Sequence, residues 1–298
     1  MSETNIFDAE IDLPSAALSA RETRLLGFDA LYHRVHDQLQ LLLHGSELAS
    51  WSQAHHGQQL PICDLVAEQY PLVIFHGDVG TGKTAMAETI ANRLVAESGA
   101  EDSVLFKLSN RVRGSGMVGE MGSLIADAFA RVIKTAGKGR RAILIIDEGD
   151  SLAAARSQAH SHHEDKVAVN TLIQGIDDLR NYGGRIVIFL CTNRLSVVDP
   201  ALRRRAAIIE TFERPTDAER NALLRMDLEG IAIDDKQFAD LVAATGPRKQ
   251  GPGWTFSDIR TRLYPAALAR AYPNAALTFA HLHAVATTMA ASPAMDDR

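Results

Sequence analysis

Short unbroken apolar runs alternate, up to about Pro215, with stretches in which apolar residues recur every three or four positions; beyond Pro215 only the second pattern remains. The runs Leu72 to Phe75, Val104 to Leu108, Ala142 to Ile146, Arg185 to Cys191 and Ile208 to Phe212 read as buried strands. Between them, Ala85 to Leu94, the segment led by Leu124, Ile125, Ala128 and Phe129, and Asp165 to Leu179 read as helices. Ahead of them, Leu25, Leu31, Val35 and Leu39 lie on one face of an amphipathic helix expected over Arg21 to His44. Strands alternating with helices predict an α/β fold: a parallel five-stranded sheet flanked by helices. After Pro215, Thr216 with Glu219 three residues on is a capping-box signature, and the helices expected over 234–244, 257–272 and 278–290 predict a small all-helical domain. Ser257 is the expected N-cap of the third helix, and Gly246 to Trp254 is a Gly/Pro-rich loop. Residues up to about Ser19 show no helical periodicity and read as a mobile arm or a peripheral strand, and Gly45 to Gln69 as loop plus a short helix. The expected organisation is an arm over 1–20, an α/β domain over 21–214 and a helical lid over 215–298.

Composition narrows the functional classes. The 298 residues are 46% hydrophobic and 23% charged, enough for one large core or two modest ones. A net charge of −6 argues against a nucleic acid held by bulk electrostatics. The two cysteines, Cys63 and Cys191, form no CxxC pair and suit a reducing compartment. The acidic start lacks a basic region and an apolar core, and no apolar run approaches ~18 residues. A cytoplasmic protein without a membrane span is expected.

The candidate chemistry is concentrated at strand ends. Gly77, four intervening residues and Gly82-Lys83-Thr84 follow a strand and open a helix, the pattern of a P-loop. Its glycines allow close approach of phosphate, Lys83 brings a point charge and Thr84 offers a hydroxyl to Mg²⁺. Gly77, Asp78, Val79, Gly80, Thr81, Gly82, Lys83, Thr84 and Ala85 are therefore the candidate cradle for a nucleoside triphosphate. The run Ala142 to Ile146 ends in Asp147-Glu148: one acid to hold Mg²⁺ through its water shell, the next to polarise the attacking water. Asn193, at the tip of the strand ending at Cys191, is placed to orient that water, although Asn is also a common turn residue. Arg203, Arg204 and Arg205 are adjacent, so only one or two can serve a single site; an arginine given to a neighbouring subunit would complete that subunit's site. Arg260 and Arg262 could reach phosphates from the lid. Phe28 is open to two readings, an adenine contact or a core anchor. His160, His162 and His163 lack a complementary cluster and read as a His-rich loop.

The ordered set GDVGTGKT, IIDE, TNR, DPALRRR and a helical lid resembles the AAA+ ATPases over about Arg21 to Ala290. Within them, DEGDSLAAARSQ with VNTLIQGIDDLR, RRAAI and SDIRTRLYPAALA resemble the pachytene-checkpoint family, which remodels HORMA-domain proteins. The resemblance implies that Lys83 and Thr84 bind the phosphates of ATP and Mg²⁺, that Asp147 completes the metal site and that Glu148 is the catalytic base. Asn193 matches the sensor 1 position, Arg205 the arginine finger with Arg204 as second candidate, and Arg262 the sensor 2 arginine. Met117, Val118 and Gly119 match the first pore loop, with methionine where the family usually has an aromatic. Asp78 and Val79 stand where prolines are common. The short stretch ahead of the P-loop resembles bacterial members that accompany HORMA proteins and a cyclic-nucleotide synthase in anti-phage operons. The implied protein is a homohexameric, Mg²⁺-dependent ATPase that opens a HORMA partner. Other AAA+ remodellers, of severing, scission or Rubisco-activase type, and a DNA-associated switch are the alternatives.

Overall fold

The computed structural model describes residues 6–43, 45–98, 102–109, 112, 120–152, 163–248 and 251–295, with backbone alone for 42, 43, 45, 46, 67, 151 and 163–165. They fall into two compact units, one drawn from Met1–His76 and Thr84–Thr211, the other from Gly77–Lys83 and Phe212–Arg298.

In the first unit the chain runs β1 (Phe7–Leu13), α1 (Ala16–Glu22), α2 (Phe28–Leu43), α3 (Gly45–His56), α4 (Pro61–Ala67), β2 (Leu72–Gly77) and α5 (Lys83–Glu97). It continues through β3 (Ser103–Leu108), α6 (Glu120–Ala136), β4 (Ala142–Ile146), α7 (Gly149–Leu152), α8 (His163–Leu179), β5 (Ile186–Thr192), α9 (Pro200–Arg205) and β6 (Ile208–Phe212). One sheet takes the order β1-β3-β4-β5-β2-β6, in which β3, β4, β5 and β2 are parallel neighbours. Every residue of β4 and β5 is buried, which is why both are continuous apolar runs. Ile125, Phe129 and Val132 of α6 and Val169, Leu172 and Ile176 of α8 share a core with Leu144, Ile146, Ile188 and Leu190 of the sheet.

The five expected strands are joined by a sixth, the peripheral strand that was one of the two readings of the stretch up to Ser19. β1 lies antiparallel to β3, with Phe7 opposite Leu108 and Leu13 opposite Ser103. Phe7, Ala9, Ile11 and Leu13 alternate with Asp8, Glu10 and Asp12, a period of two that a search for helical spacing passes over. The expected single helix over Arg21 to His44 is interrupted as well: Gly27 has φ 73, outside helical space, and separates α1 from α2. Where a loop with one short helix was expected, α3 and α4 form a pair. Buried Ser52 stitches it, donating from Oγ to Gln58 O and accepting from Leu60 N, each at 2.9 Å.

The second unit contains α10 (Asp217–Asp227), α11 (Asp235–Ala244), a π-helical segment Asp258–Leu263, α12 (Tyr264–Ala271) and α13 (Phe279–Thr288). Leu224, Leu241, Trp254, Ile259, Leu263 and Leu282 lie at the centre of its core. The expected capping box is present: Thr216 Oγ1 accepts from Glu219 N at 3.3 Å and Glu219 Oε2 accepts from Thr216 N at 2.8 Å. Ser257 is not a cap. Thr255 and Asp258 cap one another instead, each side chain accepting the other's backbone N–H at 3.1 Å. Pro265 explains the π segment, since a proline one residue into α12 removes an N–H from the helical ladder.

Candidate active site

The cradle begins where β2 ends. Gly77 has φ 138, and a Cβ there would fall 2.0 Å from Phe212 O; Gly80 has φ 79, with Ser257 Cβ and Thr255 Oγ1 each 2.7 Å from where its Cβ would be. Both positions exclude any other residue. Gly82, φ 100, differs, because nothing lies within 4 Å of its absent Cβ, so the loop backbone is open to a ligand on that side. Lys83 is buried and donates from Nζ to Gly77 O at 2.9 Å and Asp78 O at 2.8 Å. Thr81 Oγ1 also donates to Asp78 O, at 2.8 Å. Val79 is exposed, and Thr84 and Ala85 lie in the first turn of α5, where backbone N–H groups have no partner within the helix. An open glycine backbone, a lysine beside it and a helix start fit a polyphosphate.

In the first unit, Thr84 Oγ1 donates to Asp147 Oδ2 at 2.9 Å, which joins the first turn of α5 to the end of β4. The other carboxylate oxygen accepts from Glu148 N at 2.9 Å. Glu148 is exposed and has φ 51, a left-handed conformation that costs a non-glycine residue roughly 1 kcal/mol. Strain at that position is consistent with a side chain aimed by function. Asn193 follows β5, the strand beside β4; its backbone N donates to Asp150 Oδ1 at 3.4 Å, and Thr192 Oγ1 donates to the same oxygen at 3.3 Å.

Several supporting residues were not anticipated. Lys107 Nζ is 4.0 Å from Asp147 Oδ2 and 3.3 Å from Glu88 Oε1, while Arg21 pairs with the other oxygen of Glu88. The available signal was a lysine in the otherwise apolar strand VLFKL. Arg214, next to the pattern change at Pro215, pairs with Asp78 of the cradle. Asp150 and Asp177 carry no sequence signal beyond their charge.

The arginines part company. Arg205 donates from Nε and Nη2 to the two oxygens of Asp177, at 2.6 and 2.9 Å, and lies 5.2 Å from the Tyr70 ring centre. The bond to Asp177 raises its pKa further. Arg204 is exposed. In the second unit, Arg260 is bidentate to Asp227 at 2.7 and 2.8 Å, and Arg262 donates to Asp258 Oδ1 at 2.8 Å. Phe28 is buried, stacked on Tyr32 with ring centres 5.8 Å apart and 5.7 Å from the Arg93 guanidinium, the surroundings of a core anchor. Met117, Val118 and Gly119 lie outside the described residues, as do His160, His162 and the side chain of His163. Among the described side chains no group of three His, Cys, Asp or Glu residues is arranged to hold a metal by itself.

The family model for the ATPases associated with various cellular activities (AAA) matches residues 73–214. CD-NTase-associated protein 6 of Escherichia coli strain KTE188 is 64% identical over 297 residues, covering 100% of both chains. The chain is an AAA ATPase of that family. A solved chain from the E. coli MS115-1 HORMA:CdnC:Trip13 complex is 38% identical, with a TM-score of 0.89 and 97% of each chain covered. Rhizobiales Trip13 is 33% identical, with a TM-score of 0.71 over 96% of this chain and 99% of its own. Nucleotide binding and ATPase activity come with membership of the AAA ATPases. In this AAA ATPase, no helix among the described residues is long and apolar enough to cross a membrane.

Proposed function

We propose that this AAA ATPase works in the cytoplasm as a homohexameric ring that opens a HORMA-domain protein and takes apart its complex with a cyclic-nucleotide synthase, restraining an anti-phage response. The observation that carries this reading is the match, at a TM-score of 0.89 and over 97% of both chains, to a chain of a HORMA:CdnC:Trip13 complex. The name CD-NTase-associated protein 6, borne by a relative 64% identical from end to end, agrees with it.

The site residues have distinct tasks in this reading. Lys83 and the backbone N–H groups of the cradle hold the phosphates, and Thr84 and Asp147, already hydrogen-bonded, are the pair that would hold Mg²⁺, largely through water. Bound ATP with Mg²⁺ supplies an activated γ-phosphoryl group whose charge the metal partly offsets. Glu148 accepts a proton from the attacking water and Asn193 orients that water. Of the two finger candidates, exposed Arg204 is the one ready to reach a neighbouring subunit, whereas Arg205 would first have to leave Asp177. Arg262 is the lid arginine, Phe28 anchors α2, and Met117, Val118 and Gly119 grip the partner chain in the pore. The domains are taken as 1–20, 21–214 and 215–298.

The test is to mix the purified protein with a complex of a HORMA-domain protein and a cyclic-nucleotide synthase. ATP hydrolysis should rise with the HORMA protein, and the HORMA–synthase complex should dissociate only when Mg²⁺ and ATP are both present. A complex that persists under turnover, or an ATPase stimulated by duplex DNA instead, would overturn the assignment.

A further inference from the structure

We infer that Arg214 is a positioning residue for the phosphate cradle, and that through it the segment Ser292–Met295, following α13, helps to set nucleotide affinity. The inference rests on the cradle holding ATP as described above. All its contacts lie within the second unit.

Arg214 has a side chain only 13% exposed and directs hydrogen bonds to four acceptors. Nε donates to Asp78 Oδ2 of the cradle, Nη1 to Gly253 O at 2.6 Å, and Nη2 to Ser292 O at 2.9 Å and Pro293 O at 3.0 Å. The remaining oxygen of Asp78 accepts from Val79 N at 2.9 Å and from Met295 N at 3.2 Å. One cradle carboxylate is thus tied to the 292–295 segment twice, directly and through Arg214.

A second carboxylate closes the arrangement. Buried Asp258 accepts Ser292 Oγ at 2.6 Å and Arg262 Nη1 at 2.8 Å on one oxygen, and Ser292 N at 3.2 Å and Thr255 N at 3.1 Å on the other. Ser257 N donates to Gly80 O at 3.0 Å. The cradle is therefore held at Asp78 and at Gly80 by two segments that Asp258 holds to each other, and the lid arginine Arg262 shares that carboxylate.

These contacts do little for the core of the unit. Its buried residues end at Ala286, while Pro293, Ala294 and Met295 are exposed. Polar contacts directed from exposed residues onto a phosphate loop fix position more than they bury surface. A flexible loop loses freedom when phosphate orders it, and a loop already held loses less, so its affinity is higher. Linkage makes the effect reciprocal: nucleotide that orders the loop also strengthens docking of 292–295.

The test uses the full-length protein with Mg²⁺ and either ATP or a non-hydrolysable ATP analogue. Arg214→Lys keeps the charge but cannot reach four directed acceptors, and Met295→Pro removes one N–H while leaving every cradle side chain intact. Each substitution is expected to weaken analogue binding by about tenfold, the equivalent of ~1.4 kcal/mol, and to raise KM for ATP more than it lowers kcat. In the wild-type protein, hydrogen exchange at 292–295 should slow when nucleotide binds, and Met295→Pro should abolish that slowing. An Arg214 with a purely structural role would lower the melting temperature and leave the affinity of the folded protein unchanged. Wild-type affinity in folded Met295→Pro, or exchange at 292–295 that ignores nucleotide, overturns the inference even if Arg214→Lys fails to fold. A wild-type protein that binds no nucleotide would overturn the cradle reading itself.

Discussion

Glu148 has an unusual backbone at the position where the proposed chemistry needs a base. Its φ of 51 and its N–H bond to Asp147 fix where the side chain leaves the chain, so Glu148→Gln changes acidity while keeping shape. Nucleotide binding should survive in that variant, and single-turnover hydrolysis should fall at least ~100-fold. Normal turnover would remove Glu148 from its role. Asp258 makes a different residue-scale prediction. Burial pushes its pKa up, but hydrogen bonds from Ser292, Thr255 N and Arg262 outweigh this and hold it below the ordinary 3.8. A native pKa below the unfolded one stabilises the fold fully above about pH 4, and the contribution is lost as pH falls through the native value. Urea unfolding followed by the fluorescence of buried Trp254 should show the helical unit weakening in acid, and Asp258→Asn should flatten that dependence. The motif residues Gly77, Lys83, Thr84, Asp147 and Glu148 were legible in the sequence because each task admits few residue types. Lys107, Asp150, Asp177 and Arg214 were not, since a lone charge reads the same whether it is solvated or holding a partner.

At the level of elements, what could be read depended on how each one is buried. β2, β4 and β5 announce themselves because both faces are covered, which demands unbroken apolar residues. β1 has one covered side, and its three acids left it open between a mobile arm and a peripheral strand, although its ends, Phe7 and Leu13, are 2% and 3% exposed. Phe7 also packs on Phe106, with ring centres 4.8 Å apart. Phe7→Ala should therefore cost about 3 kcal/mol in chemical denaturation, against almost nothing for a mobile arm. The expected cap at Ser257 failed because Thr255 and Asp258 satisfy one another, and Pro265, at the middle of the helix expected over 257–272, changes the hydrogen-bond ladder instead of ending the helix.

For the whole molecule, the question the proposed ring raises is which arginine would cross to a neighbour. If Arg204 does, Arg204→Ala should lower turnover of the assembled ring at least ~100-fold while nucleotide affinity and melting temperature hold. Arg205→Ala should instead cost about 1 kcal/mol of stability by releasing Asp177, a half-buried partner. Mixing Arg204→Ala subunits with Glu148→Gln subunits should restore part of the hydrolysis, because some junctions then pair an intact base with an intact arginine. No restoration would place the arginine and the base in one subunit. The resemblance placed Arg205 ahead of Arg204, and the carboxylate that holds Arg205 lies 28 residues away, where its sequence gives no sign of the pairing.

The sheet edge at β1 has a further consequence. An open edge offers a row of hydrogen-bonding groups to any passing extended chain, and the remodeller proposed above would meet many. Here the outer strand carries exposed Asp8, Glu10 and Asp12, with Glu10 paired to Arg131. Charge repulsion on that border steers acidic strands away, so in the proposed ring a subunit set loose from its neighbours would resist clumping with its own kind.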